Sequence, residues 1–490
     1  MVKAAKSQGL GEELASLDLG DARIERRART MLTDLARSPD RSFPQTWSND
    51  SELEAGYRFF SNDNAKPRAI VDAHASKTVQ RAGAQQSPVL VAHDTTELRI
   101  PLYFSDKLRK GLGTKSSRQQ GFDAHVSFAV GLDERATPLG TLALQAFIGK
   151  DEATDARSKE FWEATGGLYD NEMQRWRDGI LRAGELLAHL EQQVIHTGDR
   201  ELGRYNMLAW MSYCGLDFVV RAALDQLAAG RKPRLSLTDA LAATPWTGSV
   251  TAMIARRAEN RSKKAQKTHP SRQARKVCLS FRAKTLELVR ADHKDAGAAY
   301  NPLGPVLPER LSMNIVEILE LDPPVGEAPI HWVLVTSLPI ETLAQQLFVV
   351  TCSRRRWIIE ELFRALKQGC KYERRQLESA KALLVALALF LPVAWYLLRI
   401  QTTVAEAPNL QWRRLFSPAV VTAVRRLAPQ LALRATATVE QVYLGIASIG
   451  GHLKRNGAPG WQTFIRGFAD VVAALKGMGV TTVFQVAINP

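Results

Sequence analysis

Residues Ser353 to Lys367, SRRRWIIEELFRALK, put an acid and two bases at helical spacing. With Arg356 at zero on a helix turning 100° per residue, Lys367 falls at about 20° and Glu360 at about 40°. Ile358, Ile359, Leu362 and Leu366 fall between about 200° and 300°, an apolar back that would anchor one continuous helix. A solvated charged face has the same spacing, so the rest of the chain must decide. Two further carboxylates stand out. Pro88-Val-Leu-Val-Ala-His-Asp94 and Val194-Ile-His-Thr-Gly-Asp199 are short strand-like runs, each ending in Asp. Asp94, Asp199 and Glu360 are hard oxygen donors, suited to Mg²⁺ with Mn²⁺ able to substitute, and not to zinc. Two such ions held about 3.5–4 Å apart activate a water or a 3′-hydroxyl and stabilise the leaving oxygen of a phosphodiester. Arg356 and Lys367 would neutralise the phosphate that three carboxylates otherwise repel. None of the nine histidines has a metal spacing such as HExxH. No Walker A, GxGxxG or GxSxG motif occurs, which argues against ATP, dinucleotide and acyl chemistry.

The elements that must position these groups follow from periodicity. Asp21–Arg37 reads as a helix with Ile24, Ala28, Met31, Leu32 and Leu35 on one side and Arg23, Arg26, Arg27 and Arg29 on or beside the other. SNDSELEAGYRFF opens with capping residues and runs into a second helix. From residue 88 the pattern changes to strands: Pro88–Asp94, then HVSFAVGLDERATPLGTLALQAFIG as two strands joined by a charged turn. A long helix is expected over Asn171–Gln193, with Leu181, Leu186, Leu187 and Leu190 apolar, then the strand into Asp199, a helix over RELGRYNMLAWMSYCG and the strand Phe218–Arg221. Strand, strand, strand, helix, strand, helix, strand fits a ribonuclease-H-like α/β core, whose neighbouring first and fourth strands would set Asp94 beside Asp199. Both Asp could equally be ordinary loop starters. Residues 222–340 read as a β-rich insertion in that core, and 407–490 as helical, with Trp461, Phe464, Ile465, Phe468, Val471, Val472 and Leu475 in one wide stripe. That stripe packs on the core in a monomer or forms an exposed patch at a dimer interface.

Length and charge narrow the class. A chain of 490 residues exceeds one compact core. Three parts are expected: a helical domain at 1–70, an α/β core at 71–375 and a helical region at 376–490. The formal charge is +15, from 65 Lys and Arg against 50 Asp and Glu, which favours a polyanionic partner. Between Arg256 and Lys284 lie 11 Lys and Arg and one acid, Glu259, so this segment alone contributes +10. Cys214, Cys278, Cys352 and Cys370 form no CxxC pair and read as free thiols of a reducing compartment. The N-terminus lacks an apolar signal region, and cytoplasmic residence without a membrane is expected. Ala382–Leu398 is uncharged for 17 residues but carries Pro392, and reads as a buried core helix.

Several motifs, in this order, carry a family resemblance: LGDARIERRAR, EAGYRFFSN, HDTTEL around Asp94, GDRE at Asp199 and RRRWIIEELFRALKQG around Glu360. Over nearly its whole length the chain resembles the bacterial DDE transposases of the insertion-sequence-four group, the Tyr-Arg-Glu-Lys branch of the transposon-five type. The resemblance implies that Asp94, Asp199 and Glu360 are the metal-binding catalytic triad, and that Arg356 and Lys367 contact phosphates near the cleaved end. It makes Trp357 the stacking tryptophan near a DNA hairpin. Trp332, 21 residues before Ser353, would take up a flipped base, although a core strand position explains it equally well. The signature's tyrosine falls on Ser353, whose shorter hydroxyl reaches less far towards the DNA backbone.

The same resemblance makes the N-terminal helices an end-recognition domain, with Arg23, Arg26, Arg27 and Arg58 as candidate contacts to double-stranded DNA. It implies a homodimer, built through the C-terminal helices, in which each subunit binds one transposon end and cleaves the other. The implied activity is cut-and-paste transposition: a nick, hairpin formation by the freed 3′-hydroxyl, opening of the hairpin and joining to target DNA. Two alternatives remain open, a standalone metal-dependent nuclease and a DNA-binding regulator of transposition.

Overall fold

The N-terminal helices form because capping and apolar spacing agree. In the computed structural model Asp21 caps α1 (Ala22–Arg37), its Oδ1 accepting from the Arg23 N–H at 2.8 Å. The face Ala28, Met31, Leu32 and Leu35 is buried. α2 (Phe43–Thr46) and the Asn49-capped α3 (Asp50–Ser61) enclose an aromatic cluster, with the Phe43 ring 5.4 Å from Trp47 and 5.0 Å from Phe60. A Cβ at Gly56 would lie 2.7 Å from the Trp47 ring, so the close approach of α3 requires glycine. α4 (Pro67–Gly83) follows. The structure describes residues 9–47, 49–101, 111–116, 119–149, 152, 156–164, 168–169, 172–223, 228–229, 235–254, 256–257, 271–290, 308–453, 455 and 457–478.

By internal contacts the chain forms two units, Met1–Val194 with Trp357–Pro490, and Ile195–Arg356. The first contains the strands β1 (Val89–Pro101), β2 (Gly113–Ser116), β3 (Gln119–Gly131), β4 (Pro138–Gly149) and β5 (Leu168–Tyr169). They run in the order β5-β4-β3-β1, with β2 on β3. β1, β3 and β4 are antiparallel, and β5 is parallel to β4. Between β4 and β5 lies α5 (Ala156–Ala164), and β5 is followed by α6 (Glu172–Leu187). The buried face of α6 is Trp176, Ile180, Ala183 and Leu187. Leu181, expected among its apolar residues, is 49% exposed. A tryptophan and a small residue at i, i+4, i+7 and i+11 outweigh the leucine count.

The second unit opens with a strand–helix–strand segment, β6 (Val194–Gly198), α7 (Tyr205–Tyr213) and β7 (Asp217–Arg221), with β6 and β7 parallel. Residues 222–340 hold β8 (Ala228–Ala229), α8 (Leu237–Leu241), β9 (Gly248–Ile254), β10 (Arg275–Val289), β11 (Arg310–Leu319) and β12 (His331–Thr336). β12 returns antiparallel to β7, and β11, β10 and then β9 extend outward from it. The centre of the basic segment, 258–270, lies outside the described residues. Its flanks pair through the backbone, Arg257 N–H to Arg272 O at 2.9 Å and Arg272 N–H to Arg257 O at 3.0 Å. The chain is thus a mixed α/β protein whose strands pair both parallel and antiparallel.

α9 (Leu343–Arg355) ends the second unit, and α10 (Ile358–Arg364) begins the returning part of the first. A π turn follows at Ala365–Gly369, closed by the Cys370 N–H on Ala365 O at 2.8 Å. The single helix expected over Ser353–Lys367 is therefore broken at Arg356–Trp357. The cause is legible in burial. α9 buries Gln346, Val349, Val350 and Cys352, whereas α10 buries Ile358, Ile359, Leu362 and Phe363. On one straight helix those two apolar arcs would lie about 130° apart. Breaking the helix lets each segment bury its own face.

α11 (Ala380–Glu406) is the core helix of the first unit and contains Pro392. Among the described residues it is the one helix long and apolar enough to cross a membrane, and 94% of its most apolar window is buried inside the chain. The C-terminal helices α12 (Pro418–Leu427), α13 (Val439–Ile449) and α14 (Trp461–Gly477) pack on one another, and α14 also packs on the π turn. Trp461, Phe464, Ile465, Phe468, Val471, Val472 and Leu475 are all buried. The stripe that could have served as an exposed dimer patch is covered within the single chain.

Candidate active site

Asp94 lies within β1, opposite Val126 of β3, and not at a strand end as the sequence reading expected. The strand continues because Thr96, Leu98 and Ile100 are buried while Thr95, Glu97 and Arg99 alternate with them. The half-buried Asp94 carboxylate accepts from the Thr95 N–H at 2.8 Å. Beneath it His93 Nδ1 meets Ser127 Oγ at 2.9 Å and His125 Nδ1 meets Thr95 Oγ1 at 2.9 Å, the two imidazoles stacking 6.2 Å apart. Burial, helped by Arg175, pushes His125 down to about 3, so it stays neutral and serves as a hydrogen-bonding floor.

α10 packs directly on β1, burying Ile359 and Leu362. This brings the helix carrying Glu360 against the strand carrying Asp94. Glu360 sits in the first turn of α10, its N–H on Trp357 O at 3.1 Å, where the helix dipole favours a carboxylate. The π turn then directs Lys367 onto β1, with Nζ donating to Glu97 O at 2.7 Å and standing 4.0 Å from Glu373 Oε1. Burial lowers the Lys367 pKa, while Glu373 and Glu97 oppose that effect. Trp357 is 50% exposed, with the Arg364 guanidinium 5.7 Å over its ring.

In the second unit Asp199 follows β6 directly, and its Oδ1 accepts from the Glu201 N–H at 2.8 Å, an Asx turn that fixes the carboxylate. Arg221 lies within reach of its charge. Burial, then the charges of Arg200 and Arg356, push Arg221 down to about 10 against the pull of Asp199. Arg221 did not emerge from the sequence; ending β7 beside a strand that runs into Asp199 was the available signal. Buried His196, pushed down to about 4, is neutral. A surface cleft lined by Asp217, Asn314, Thr336 and Ser337 lies at the N-terminal end of β7, away from Asp199. Trp332 is half-buried on β12 opposite Ile318, and Ser353 is half-buried on α9.

At the N-terminus, Arg27 is held by the Glu52 carboxylate and by Glu52 O at 2.5 Å. Arg23 pairs with its capping Asp21 at 3.1 Å and Arg58 with Glu54 at 3.8 Å, while Arg26 is exposed. Among the described residues no three His, Cys, Asp or Glu side chains are gathered closely enough to hold a metal ion. The donor chemistry of Asp94 and Glu360, half-buried carboxylates on elements in contact, nevertheless fits a hard divalent cation.

Residues 7–65 match the transposase DNA-binding family, and residues 172–391 match the transposase DDE domain. The chain is a DDE transposase. DNA is therefore its partner, and the DDE domain implies a divalent metal cofactor. Asp199 and Glu360 lie inside the DDE match, and Asp94 precedes it. Among solved structures this transposase is similar to the piggyBac transposase synaptic complex with hairpin DNA. The two share 9% identity at a TM-score of 0.32, over 94% of this chain and 81% of that one.

Proposed function

We propose that this transposase moves DNA by cut and paste, with Asp94, Asp199 and Glu360 as its metal-holding triad. The observation that carries the proposal is the packing of α10, with Glu360, on the β1 strand that bears Asp94. Asp199 joins them on the strength of motif order. Bound there, Mg²⁺ or Mn²⁺ would supply activation of a water or a 3′-hydroxyl and stabilisation of the leaving oxygen. The chain's own cations do the rest. Arg356 and Lys367 neutralise the non-bridging oxygens of the scissile phosphate, and Arg200 and Arg221 extend that positive field around Asp199. Water opens one strand at the element's end, the freed 3′-hydroxyl attacks the opposite strand to close a hairpin, and a second water reopens it. The same 3′-hydroxyl then joins target DNA. Trp357, half exposed, offers a face on which an unstacked base can rest, with Trp332 as a second site. Arg23, Arg26, Arg27 and Arg58 read the transposon end, Arg27 exchanging Glu52 for phosphate.

A homodimer, each subunit binding one end and cutting the other, belongs to the same proposal. Because the α14 stripe is covered within the chain, the pairing surface must use other residues. The test uses DNA carrying the inverted repeats that flank the coding region, with Mg²⁺, resolved on a denaturing gel. Nicked, hairpin and joined products are expected. Asp94→Ala, Asp199→Ala and Glu360→Ala should each abolish cleavage and spare end binding. Intact DNA after incubation with folded, end-bound protein refutes the proposal, and cleavage without joined products reduces the enzyme to a nuclease.

A further inference from the structure

Glu373 has no part in the triad, yet it meets Lys367 from the opposite side of the π turn. It lies on a 3-10 turn, Tyr372–Arg374, that packs on β1. One carboxylate oxygen, Oε1, accepts the Arg99 N–H at 2.9 Å and stands 4.0 Å from Lys367 Nζ. Lys367 in turn donates to Glu97 O at 2.7 Å, three residues beyond Asp94 on the same strand. The ammonium thus rests between a backbone carbonyl and a carboxylate that is itself pinned to β1. The Glu97 side chain is occupied by Arg99, with Nε donating at 2.7 Å, and Asp123 by Lys115 at 2.8 Å. Among the described residues, the charged groups acting on Lys367 are Glu373 from the turn, Glu97 and Arg99 from β1 and Asp123 from β3. Of these only Glu373 has a carboxylate directed at Nζ without a bonded cation of its own in between.

We propose that Glu373 is a positioning residue for Lys367: pinned to β1 through the Arg99 N–H, it holds the half-buried ammonium charged and in place for the phosphate of the cleaved end. The role rests on the reading of Lys367 as a phosphate contact. A half-buried lysine tends to lose its proton, and a carboxylate at this distance opposes that loss. The pinning also fixes geometry, because Glu373 is itself held to β1 by the Arg99 N–H.

Glu373→Gln keeps an oxygen for the Arg99 N–H and removes only the charge, so the turn should keep its fold. The experiment is end cleavage with Mg²⁺ across pH 6.5–9.5, with end binding and a thermal melt as controls. Glu373→Gln should lose roughly threefold in rate at pH 7 and roughly thirtyfold at pH 9.5, as the ammonium deprotonates earlier. Glu373→Asp should recover part of the loss. In a Lys367→Arg background, where the cation does not titrate, Glu373→Gln should leave the shape of the pH profile unchanged. A wild-type pH profile in Glu373→Gln, with Lys367→Ala inactive, overturns the positioning role alone. Normal cleavage by Lys367→Ala overturns the phosphate role of Lys367 and the Glu373 inference with it.

Discussion

Glu13 is 1% exposed in a short 3-10 turn, Leu10–Leu14, at the start of the DNA-binding match. Its Oε1 accepts from Arg81 Nη1 at 2.7 Å, and its Oε2 from Arg81 Nη2 at 3.1 Å and from His74 Nδ1 at 2.7 Å. His74 Nε2 accepts the Thr141 N–H at 3.2 Å, so the imidazole is neutral with its proton on Nδ1, as its lowered pKa requires. The charged pair is therefore Glu13 and Arg81. Burial alone would raise the Glu13 carboxyl, but His74 and Arg81 outweigh it and bring it from 4.5 down to about 2. A lowering of that size sets an upper bound of about 3 kcal/mol on the stabilisation, since part of it needs a charged His74. Glu13→Ala adds the opposite consideration, a buried guanidinium without its anion, for which about 3–5 kcal/mol is usual. Arg81 keeps Leu139 O at 2.6 Å and the Trp395 ring at 4.1 Å, which places the loss at the lower end, about 3 kcal/mol. The folded state holds the carboxylate ionised to lower pH than the unfolded chain does. The contribution is thus complete above about pH 4.5 and disappears as pH falls towards 2. Urea unfolding at pH 7 and pH 3, with hydrogen exchange over residues 9–20 and α4, measures both. Exchange localises the loss, since a chain of two contact units need not unfold in one step. The expected result is faster exchange in both segments of Glu13→Ala and a smaller mutant penalty at pH 3 than at pH 7. The double change Glu13→Ala with Arg81→Met should recover much of the loss. A penalty below about 0.5 kcal/mol at pH 7, or one independent of pH, refutes the reasoning.

Two further outcomes follow from burial and backbone geometry. Cys352 and Cys370 are buried, their thiols pushed up to about 12 by desolvation, whereas Cys214 and Cys278 are exposed. The native protein should therefore give two fast thiols with a maleimide and all four only in denaturant, as read by mass spectrometry. Gly140 in β4 has φ +141°, and a Cβ there would lie 2.2 Å from Thr78 Oγ1 and 2.9 Å from His74 Nε2. Gly140→Ala should cost at least about 2 kcal/mol by shift of the urea midpoint, beside the same buried network that holds Glu13.

What the sequence made legible and what it hid divide along one physical line. Alternation and helical spacing report burial on a single element, so β3, β4, β6, α1 and the buried apolar run of α11 were readable. The sequence reading ends β1 at Asp94, although Thr96, Leu98 and Ile100 carry the alternation past it. The break at Arg356–Trp357 lay in the same register, because Val349, Val350 and Cys352 claim the face that a continuous helix would have given to Arg356, Glu360 and Lys367. Partnerships made through space left no periodic trace. Arg221 approaches Asp199 from the end of another strand, and Glu373 meets Lys367 from the turn that follows the π turn.

That π turn changes how the segment works. On an uninterrupted helix Glu360 and Lys367, seven residues apart, would share one stripe and one environment. In the roles proposed above, a carboxylate holding a cation and an ammonium holding a phosphate would gain little from such closeness, since each would neutralise the other. The π turn resets that spacing after Ala365. Glu360 stays at the dipole-favoured start of α10, and Lys367 is carried along β1 to Glu97 O and Glu373. Lys367 thus has partners on and beside β1, and the helix that carries Glu360 packs on the same strand. With the proposed roles, the irregular backbone, which defeats the simple helical wheel, would let opposite charges serve one DNA end without cancelling.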